Sequence, residues 1–520
     1  MVFKPSFSSS PWKDPFVIGV SISLGIFLAQ AIWLWQFSID DAAISWRYAT
    51  HLAEGLGLRW NQVGAPVEGY SNFLWVILLA GIHACGVDVQ LASKALGVLF
   101  GGANLILVGL LCRRLFPEVR HAWLPALLVA MTPEWTMWGM SGLEMSLFGF
   151  LVLVTLYALT NPGHPRTWLL SAGLCGIVLT RPEGIAVGIV MIAAWIVLPG
   201  ATTWRQRLQD MLKPASAMLS LAVALTLWRV SYFGSPLPNT VYAKFQLSLP
   251  SWRPVRRWLL FAAPFLAAWI VIIRRMSAGA QRSVGYLAGI LILAHSAMTL
   301  PTSPVMNFLH RYHVALMPLL MLPVPAVVEL IGRRHRLIGG ATVAALALWN
   351  AQGFPAVAER RGWESEWQTR EHWVASELSG LPGSPLIALQ DAGRIPYWTD
   401  LPSVDAWGLC DAQIAHEGFS PWTVIARKPQ VYIVSVDSIV WGFVEPHLGM
   451  DKLMYQANGF GARYRLWRYC LGPGMKATDV YGYAILLDAE WAKAHGITIP
   501  ERSEFWPGHG AWNRACAACP

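Results

Sequence analysis

Stretches of 20 residues or more without an Asp, Glu, Lys or Arg recur along this chain, among them 16–37 (22 residues), 145–165 (21), 185–204 (20) and 337–358 (22). About 20 apolar residues cross a bilayer core as a helix, so such a chain is constrained to thread a membrane repeatedly. Composition agrees: 13% of the 520 residues are charged, where a soluble domain carries about 25%, and the mean hydropathy is +0.43. A soluble enzyme, a disordered scaffold and a disulfide-rich secreted module are excluded. The net charge of +9 is no nucleic-acid footprint, because most of the excess sits in short clusters between apolar runs. The first run is too long for a signal-peptide core and has no small-residue cleavage site after it, so it reads as a retained span.

Basic loops mark the cytoplasmic side. The clusters are Lys4/Lys13, Arg113/Arg114/Arg120, Arg166, Arg205/Arg207/Lys213, Arg274/Arg275/Arg282 and Arg333/Arg334/Arg336. All fall on one side if the run 71–87 lies along the outer interface and does not cross; a crossing there would turn every later cluster outward. Spans are then expected near 16–37, 91–112, 121–138, 145–160, 168–180, 185–199, 214–230, 257–273, 283–300, 314–331 and 337–350. These are about 11 transmembrane helices, with the N-terminus cytoplasmic. Spans 168–180 and 214–230 are short, which predicts irregular backbone lining a cavity at their ends.

Residues 1–350 thus form a transmembrane domain, and 351–520 change character. Polar stretches there separate short β-like runs at 385–390, 430–436, 463–469 and 483–487, which predicts a soluble α/β domain outside the membrane. No repeat of fixed period and no low-complexity tract occurs. Seven cysteines at irregular spacing imply no framework of disulfides. Cys410 and Cys470 are candidates to pair; Cys516 and Cys519 form a lone CxxC with only His509 nearby, so no structural zinc is expected.

On this topology polar residues gather in six outer loops. The first, 37–75, carries Asp40 and Asp41 just beyond the first span. A helical continuation puts Asp41, Ser45 and Tyr48 on one face; alternatively Ser38 and Asp40 are N-cap candidates for the following helix. The second holds Glu144. The third, LTRPEGIAV, holds Arg181 and Glu183, which a local ion pair would also explain. The fourth, 227–245, carries Asn239, Tyr242 and Lys244. The fifth carries His310, Arg311, Tyr312 and His313, where snorkelling to the headgroups is the alternative. The sixth, 389–415, carries Asp391, Arg394, Asp405 and Asp411.

Acids in one loop and cations in others suit a glycosyl transfer from a lipid phosphate. A carboxylate takes the proton of the acceptor hydroxyl, and Arg, Lys, His or a divalent metal neutralises the departing phosphate. No second acid is needed, because the phosphodiester leaves as an anion. Arg181, Lys244, His310 and Arg311 are the candidate donor-phosphate ligands. No cofactor is required; Asp40 and Asp41 are candidate ligands if a divalent metal takes part.

The blocks DDAxISxRYAxxLAEGxGLxWN, VEGYSNFLW, SGLEMSLF, TRPEG, YFGSPLPNTVYAK, RYHVALMP and DAGRIPYW resemble the integral-membrane glycosyltransferases of the GT-C superfamily. Among these the chain is most similar to the terminal arabinofuranosyltransferases of mycobacterial cell-wall synthesis. The resemblance implies a sugar on polyprenyl phosphate as donor and a cell-envelope glycan as acceptor, at the outer face of the bacterial cytoplasmic membrane. By position it implies Asp40 or Asp41 as general base and Glu144 as a second acid, with Tyr48, Glu68, Tyr70, Asn239, Tyr242, Asp391 and Arg394 available to the acceptor. It also implies the interfacial helix after the first span.

A transferase acting on protein or lipid A is the nearest alternative. A lipid-linked-sugar flippase or transporter is the rival from another class; it predicts ionisable residues at mid-bilayer and, usually, matched halves, neither of which the sequence displays. The exposed domain is expected to select the acceptor through 389–415 and its tryptophans.

Overall fold

The computed structural model describes residues 14–161, 165–198, 203–244, 252–276, 279–302, 307–332, 335–440, 443–447, 449–473 and 480–501. Lys4, Lys13, Arg333, Arg334, Cys516 and Cys519 lie outside the described residues. The chain divides into two compact units. One comprises Met1–Gln36, Ser93–Thr226 and Gln246–Ala358; the other comprises Phe37–Ala92, Leu227–Phe245 and Glu359–Pro520. A single cut at 350 therefore does not describe the division: the first and fourth outer loops fold with the C-terminal part.

The first unit is helical. Pro15–Trp33 begins under an Asp14 cap, buries Val20, Phe27 and Ala31, and leaves Ile18, Ile22, Leu28 and Ile32 exposed. A helix that keeps apolar side chains on its uncovered stripe suits lipid, where their exposure carries no hydration penalty. Among the described residues six helical stretches are long and apolar enough to cross a bilayer: Pro15–Trp33, Val89–Leu115, Trp204–Phe233, Trp252–Ile273, Val314–Gly332 and Arg336–Ser379. The pair Pro133–Met140 and Met145–Leu159, bent by 113°, makes a seventh if counted as one span. The molecule is an α-helical polytopic membrane protein, but the expected count of eleven is not confirmed.

The reasons are local. The stretch 121–138 is interrupted, as Leu124–Ala130 and Pro133–Met140, because Pro133 has no N–H for the preceding turn. Thr167–Thr180 and Gly184–Val197 have 14 residues each, about 21 Å at 1.5 Å per residue, short of the roughly 30 Å core. The stretch 214–230, expected to be short, lies inside a 30-residue helix, Trp204–Phe233, with Pro214 within it.

The second unit contains a six-stranded mixed sheet. Its strands are β1 (Ile387–Leu389), β2 (Ser403–Asp405), β3 (Val431–Val440), β4 (Phe443–Pro446), β5 (Tyr464–Pro473) and β6 (Val480–Asp488), in the order β2-β1-β3-β6-β5 with β4 on β3. β1 is parallel to β2 and β3; the remaining pairs are antiparallel. Alternate side chains enter two cores. Val431, Ile433, Ile485 and Leu487 meet Val374 and Leu378 of the Phe354–Ser379 helix, while Tyr432, Val434, Ala484 and Leu486 meet Met454 and Phe460. A sheet covered on both faces explains why its central strands read as continuous apolar runs. β2, three residues long, was invisible to alternation.

Candidate active site

In the second unit the first outer loop folds as Asp40–Ala53. Ile39 occupies the N-cap position without a side-chain cap bond, so Ser38 and Asp40 are not the N-cap. Asp40 and Asp41 stand in the first turn, where the helix dipole favours negative charge. The chain leaves the helix through Gly55 at φ +82°, which lets Leu56 N–H reach His51 O at 2.9 Å.

The two carboxylates have different surroundings. Asp40 Oδ1 accepts the backbone N–H of Arg394 at 2.7 Å. Asp41 Oδ2 lies 3.8 Å from Lys244 Nζ, which ends the short helix Asn239–Lys244. Burial pushes the Asp40 carboxyl up to about 7; the Arg394 charge opposes the rise and Asp391 adds to it. Asp391 accepts from Tyr483 Oη at 2.7 Å and Ser435 Oγ at 3.1 Å, and burial raises it also.

The helix face expected from Asp41, Ser45 and Tyr48 forms, and it packs on the VEGYSN segment. Ser45 Oγ donates to Asn72 Oδ1 at 3.1 Å; Tyr48 Oη donates to Val67 O at 2.5 Å and accepts from Gly69 N–H at 3.0 Å. Tyr70 crosses Tyr48 edge-on at 4.8 Å. Glu68 takes Arg229 in a fork at 2.9–3.1 Å, and burial pushes its carboxyl up to about 7 despite that partner. Asn239 Nδ2 donates to Gly408 O and Leu409 O at 2.6 and 3.0 Å. Arg394 is 0% exposed and spends its guanidinium on Glu371 at 2.5 Å, Glu364 at 3.3 Å and Ser38 O at 3.1 Å.

Of the residues expected at the acceptor, Tyr48, Glu68, Tyr70, Asn239 and Arg394 are buried; Tyr48, Glu68, Asn239 and Arg394 bond their polar groups inside the unit, and Tyr70 packs its ring on Tyr48. Tyr242, its ring tilted against His416 at 4.2 Å, and Asp391 remain part-exposed. Among the tryptophans, Trp407 stands exposed on a turn pinned by Asp405, which accepts from Trp407 N–H at 2.9 Å and Cys410 N–H at 2.8 Å.

Sequence reasoning missed the residues that bind 396–403. Arg47 donates to Pro396 O at 2.6 Å and Leu401 O at 3.0 Å, Trp60 Nε1 to Ser403 Oγ at 2.8 Å, and Asn61 exchanges two 2.9 Å bonds with Ser403. An arginine amid apolar helix residues was the available signal; its partner lies some 350 residues away in sequence.

In the first unit, the RPEG hairpin depends on Gly184, where a Cβ would lie 2.1 Å from Ile177 O. Arg181 extends from this turn to Glu144 Oε1 at 2.5 Å and to Glu183. The local ion pair thus exists, and the guanidinium also binds the expected second acid. Arg181 and Arg311 both lie 5.8 Å from the Tyr312 ring, and Arg311 lies 5.4 Å from Trp138. Leu309 and His310 adopt φ +44° and +60°, a left-handed pair whose strain, on the order of 1–3 kcal/mol each, concentrates at functional sites. The His310 ring packs on Trp258 at 5.7 Å and Phe261 at 5.3 Å. The structure therefore places Arg181 and Arg311 each near the Tyr312 ring, pairs Lys244 with Asp41, and sets His310 among aromatics.

Cys410 is a free, buried thiol and Cys470 is disulfide-bonded, so the two do not pair. Among the described residues no three His, Cys, Asp or Glu side chains stand together to hold a metal. Asp40 and Asp41 are two carboxylates, one bonded by an N–H and the other 3.8 Å from an ammonium group.

A family model described as a domain of unknown function (DUF8728) matches residues 358–492. No curated protein matches the chain. Solved structures do. ArnT from Cupriavidus metallidurans bound to undecaprenyl phosphate superposes with a TM-score of 0.59 at 14% identity, over 90% of this chain and 97% of that one. Its apo state gives 0.56 at 13% identity, over 92% and 98%. The Archaeoglobus fulgidus oligosaccharyltransferase tethered to an acceptor peptide gives 0.52 at 12% identity, over 96% and 77%. At such identities the likeness is one of fold alone: the chain shares the fold of these proteins.

Proposed function

We propose that this protein is a membrane glycosyltransferase that moves a sugar, of the arabinofuranose class, from a polyprenyl-phosphate donor to a glycan acceptor of the cell envelope. The observation that carries this reading is the carboxylate pair of the Asp40–Ala53 helix, one member held by a backbone N–H and the other facing Lys244. Fold likeness over 90% of the chain to ArnT, a protein solved with undecaprenyl phosphate, supports the donor class. A carboxyl poised near neutrality is the efficient proton acceptor at neutral pH, so Asp40 is the base: its free oxygen takes the acceptor proton as the acceptor oxygen bonds to the anomeric carbon. The bond from that carbon to the phosphate oxygen breaks, and polyprenyl phosphate leaves with the electron pair.

Asp41 and Lys244 orient the reacting groups. Arg311 and Arg181, with Glu144 holding the latter, are the proposed donor-phosphate residues of the membrane unit; a guanidinium grips two phosphate oxygens where Lys is a point charge. Trp407 offers an aromatic face to the acceptor. The proposed setting is the outer face of a bacterial cytoplasmic membrane, supported by the Cys470 disulfide, since disulfides persist in oxidising compartments. A peptide acceptor is the second reading, favoured by the likeness to the peptide-tethered oligosaccharyltransferase.

Purified protein assayed for release of polyprenyl phosphate with glycan and peptide acceptors tests the reading. Asp40→Asn should lower turnover by about 10²–10⁴, the usual worth of a general base. A wild-type rate in Asp40→Asn would refute it.

A further inference from the structure

Asp40 is not held by its own helix alone. The turn joining β1 to the short helix Arg394–Thr399 meets it at van der Waals limits: a Cβ on Gly393 would lie 2.2 Å from Asp40 O and 2.3 Å from Asp40 Oδ1. Only glycine permits the approach that brings Arg394 N–H to 2.7 Å from that oxygen. The Arg394 guanidinium is in turn locked by Glu371 and Glu364 on the Phe354–Ser379 helix, side chains 0–4% exposed, and reaches Ser38 O, two residues before Asp40. Nothing in the chemistry of acceptor recognition requires a fully buried arginine at this place. A bond to one carboxylate oxygen, a close-fitting glycine and a fixed positive charge are what holding a reactive carboxylate requires.

We propose that the Gly393–Arg394 turn of the C-terminal segment is the positioning device for Asp40, so that this segment completes the catalytic centre as well as facing the acceptor. This rests on the glycosyltransferase reading for its catalytic meaning, though not for its geometry. Arg394 and Gly393 are positioning residues: they act through Asp40 and leave its second oxygen to the substrate. The groups bearing charge on Asp40 are Asp41 on its own helix, with Lys244 beyond it; Arg394 and Asp391 on the turn; and Glu371, with Glu364 behind Arg394, on the Phe354–Ser379 helix. Asp391 is itself held by Tyr483 and Ser435 and lies near His447. A cation on one side and an anion on the other predict opposite responses. Removing the Arg394 charge must make Asp40 harder to ionise, and removing the Asp391 charge must make it easier.

The test uses the full-length protein in detergent and reads Asp40 directly. A carbodiimide modifies protonated carboxyl groups, and peptide mass spectrometry localises the adduct. In wild type the modification of Asp40 should fall with a midpoint near pH 7. Asp391→Asn should move the midpoint down, and Arg394→Gln should move it up, by about one pH unit or more each. Arg394→Lys, which keeps the charge, should leave it near wild type. Arg394→Gln leaves two acids buried without their partner and risks misfolding, so Asp391→Asn and Arg394→Lys decide the matter if it does not fold. Gly393→Ala should cut turnover by about 10², the cost of a misplacement near 1 Å, with the donor KM little changed. A midpoint that stays put in Asp391→Asn, or moves equally in Arg394→Lys and Arg394→Gln, overturns the proposal, as does wild-type turnover in Gly393→Ala. If the midpoints shift as stated while Asp40→Asn keeps full turnover, the positioning stands and the catalytic reading falls.

Discussion

Glu68 and Arg229 illustrate how a polar residue of a site-bearing loop serves the frame. Their fork lies 2% and 6% exposed, and taking two ions out of water is repaid only while both are present. Glu68→Ala should therefore destabilise the protein by about 3–5 kcal/mol, because the Arg229 guanidinium would remain buried without its carboxylate. Thermal unfolding in detergent checks this, and a Tm within about 1 °C of wild type would show the pair to be dispensable. Glu68→Gln, which keeps an acceptor for Arg229, should cost less. Arg394 is spent in the same way, on two protein carboxylates and a carbonyl.

At the scale of elements the proposed topology turns on the helix Phe73–Ala84. It has 12 residues, about 18 Å at 1.5 Å per residue, against a core of roughly 30 Å, and it packs along Asp40–Ala53. That length suits the proposed interfacial placement, in which the helix returns the chain to the side it came from and keeps the basic clusters on one side. Exposed Cys85 just beyond it, and a cysteine placed at Val63 just before it, which is 88% exposed, should then react with a membrane-impermeant thiol reagent from the same face of sealed vesicles. Labelling from opposite faces would show that the segment crosses.

The whole molecule is divided by contact and not by sequence order. Residues 37–92 and 227–245 share a unit with 359–520, and Arg47, Trp60 and Asn61 spend their polar groups on 396–403. A protein ending at residue 358 should consequently lose more than an acceptor surface. Arg47, 2% exposed in the intact chain, should become a tryptic site, and transfer should cease. Protection of Arg47 in the truncated protein would mean that the first loop folds without the C-terminal segment.

Lipid-spanning character and the existence of a C-terminal sheet were legible because they rest on local physics: apolar length against bilayer thickness, and runs of β-branched and aromatic residues. The strands β1, β3, β5 and β6 were expected within a few residues, and so was the helix after the first span, because turn and face periodicity are read within a dozen positions. Asp40 and Asp41 stood out for a similar reason, as carboxylates beside an apolar helix. What sequence order could not determine was the division of labour among polar residues. Whether Arg394 binds a ligand or pins Asp40, and whether Glu68 faces an acceptor or Arg229, depends on partners 161 to 354 residues away. Residue type and spacing are identical in both cases. Burial alone separates them: only when the fold withdraws a guanidinium from water must its charge be matched by named carboxylates, and that withdrawal is a property of the packed units.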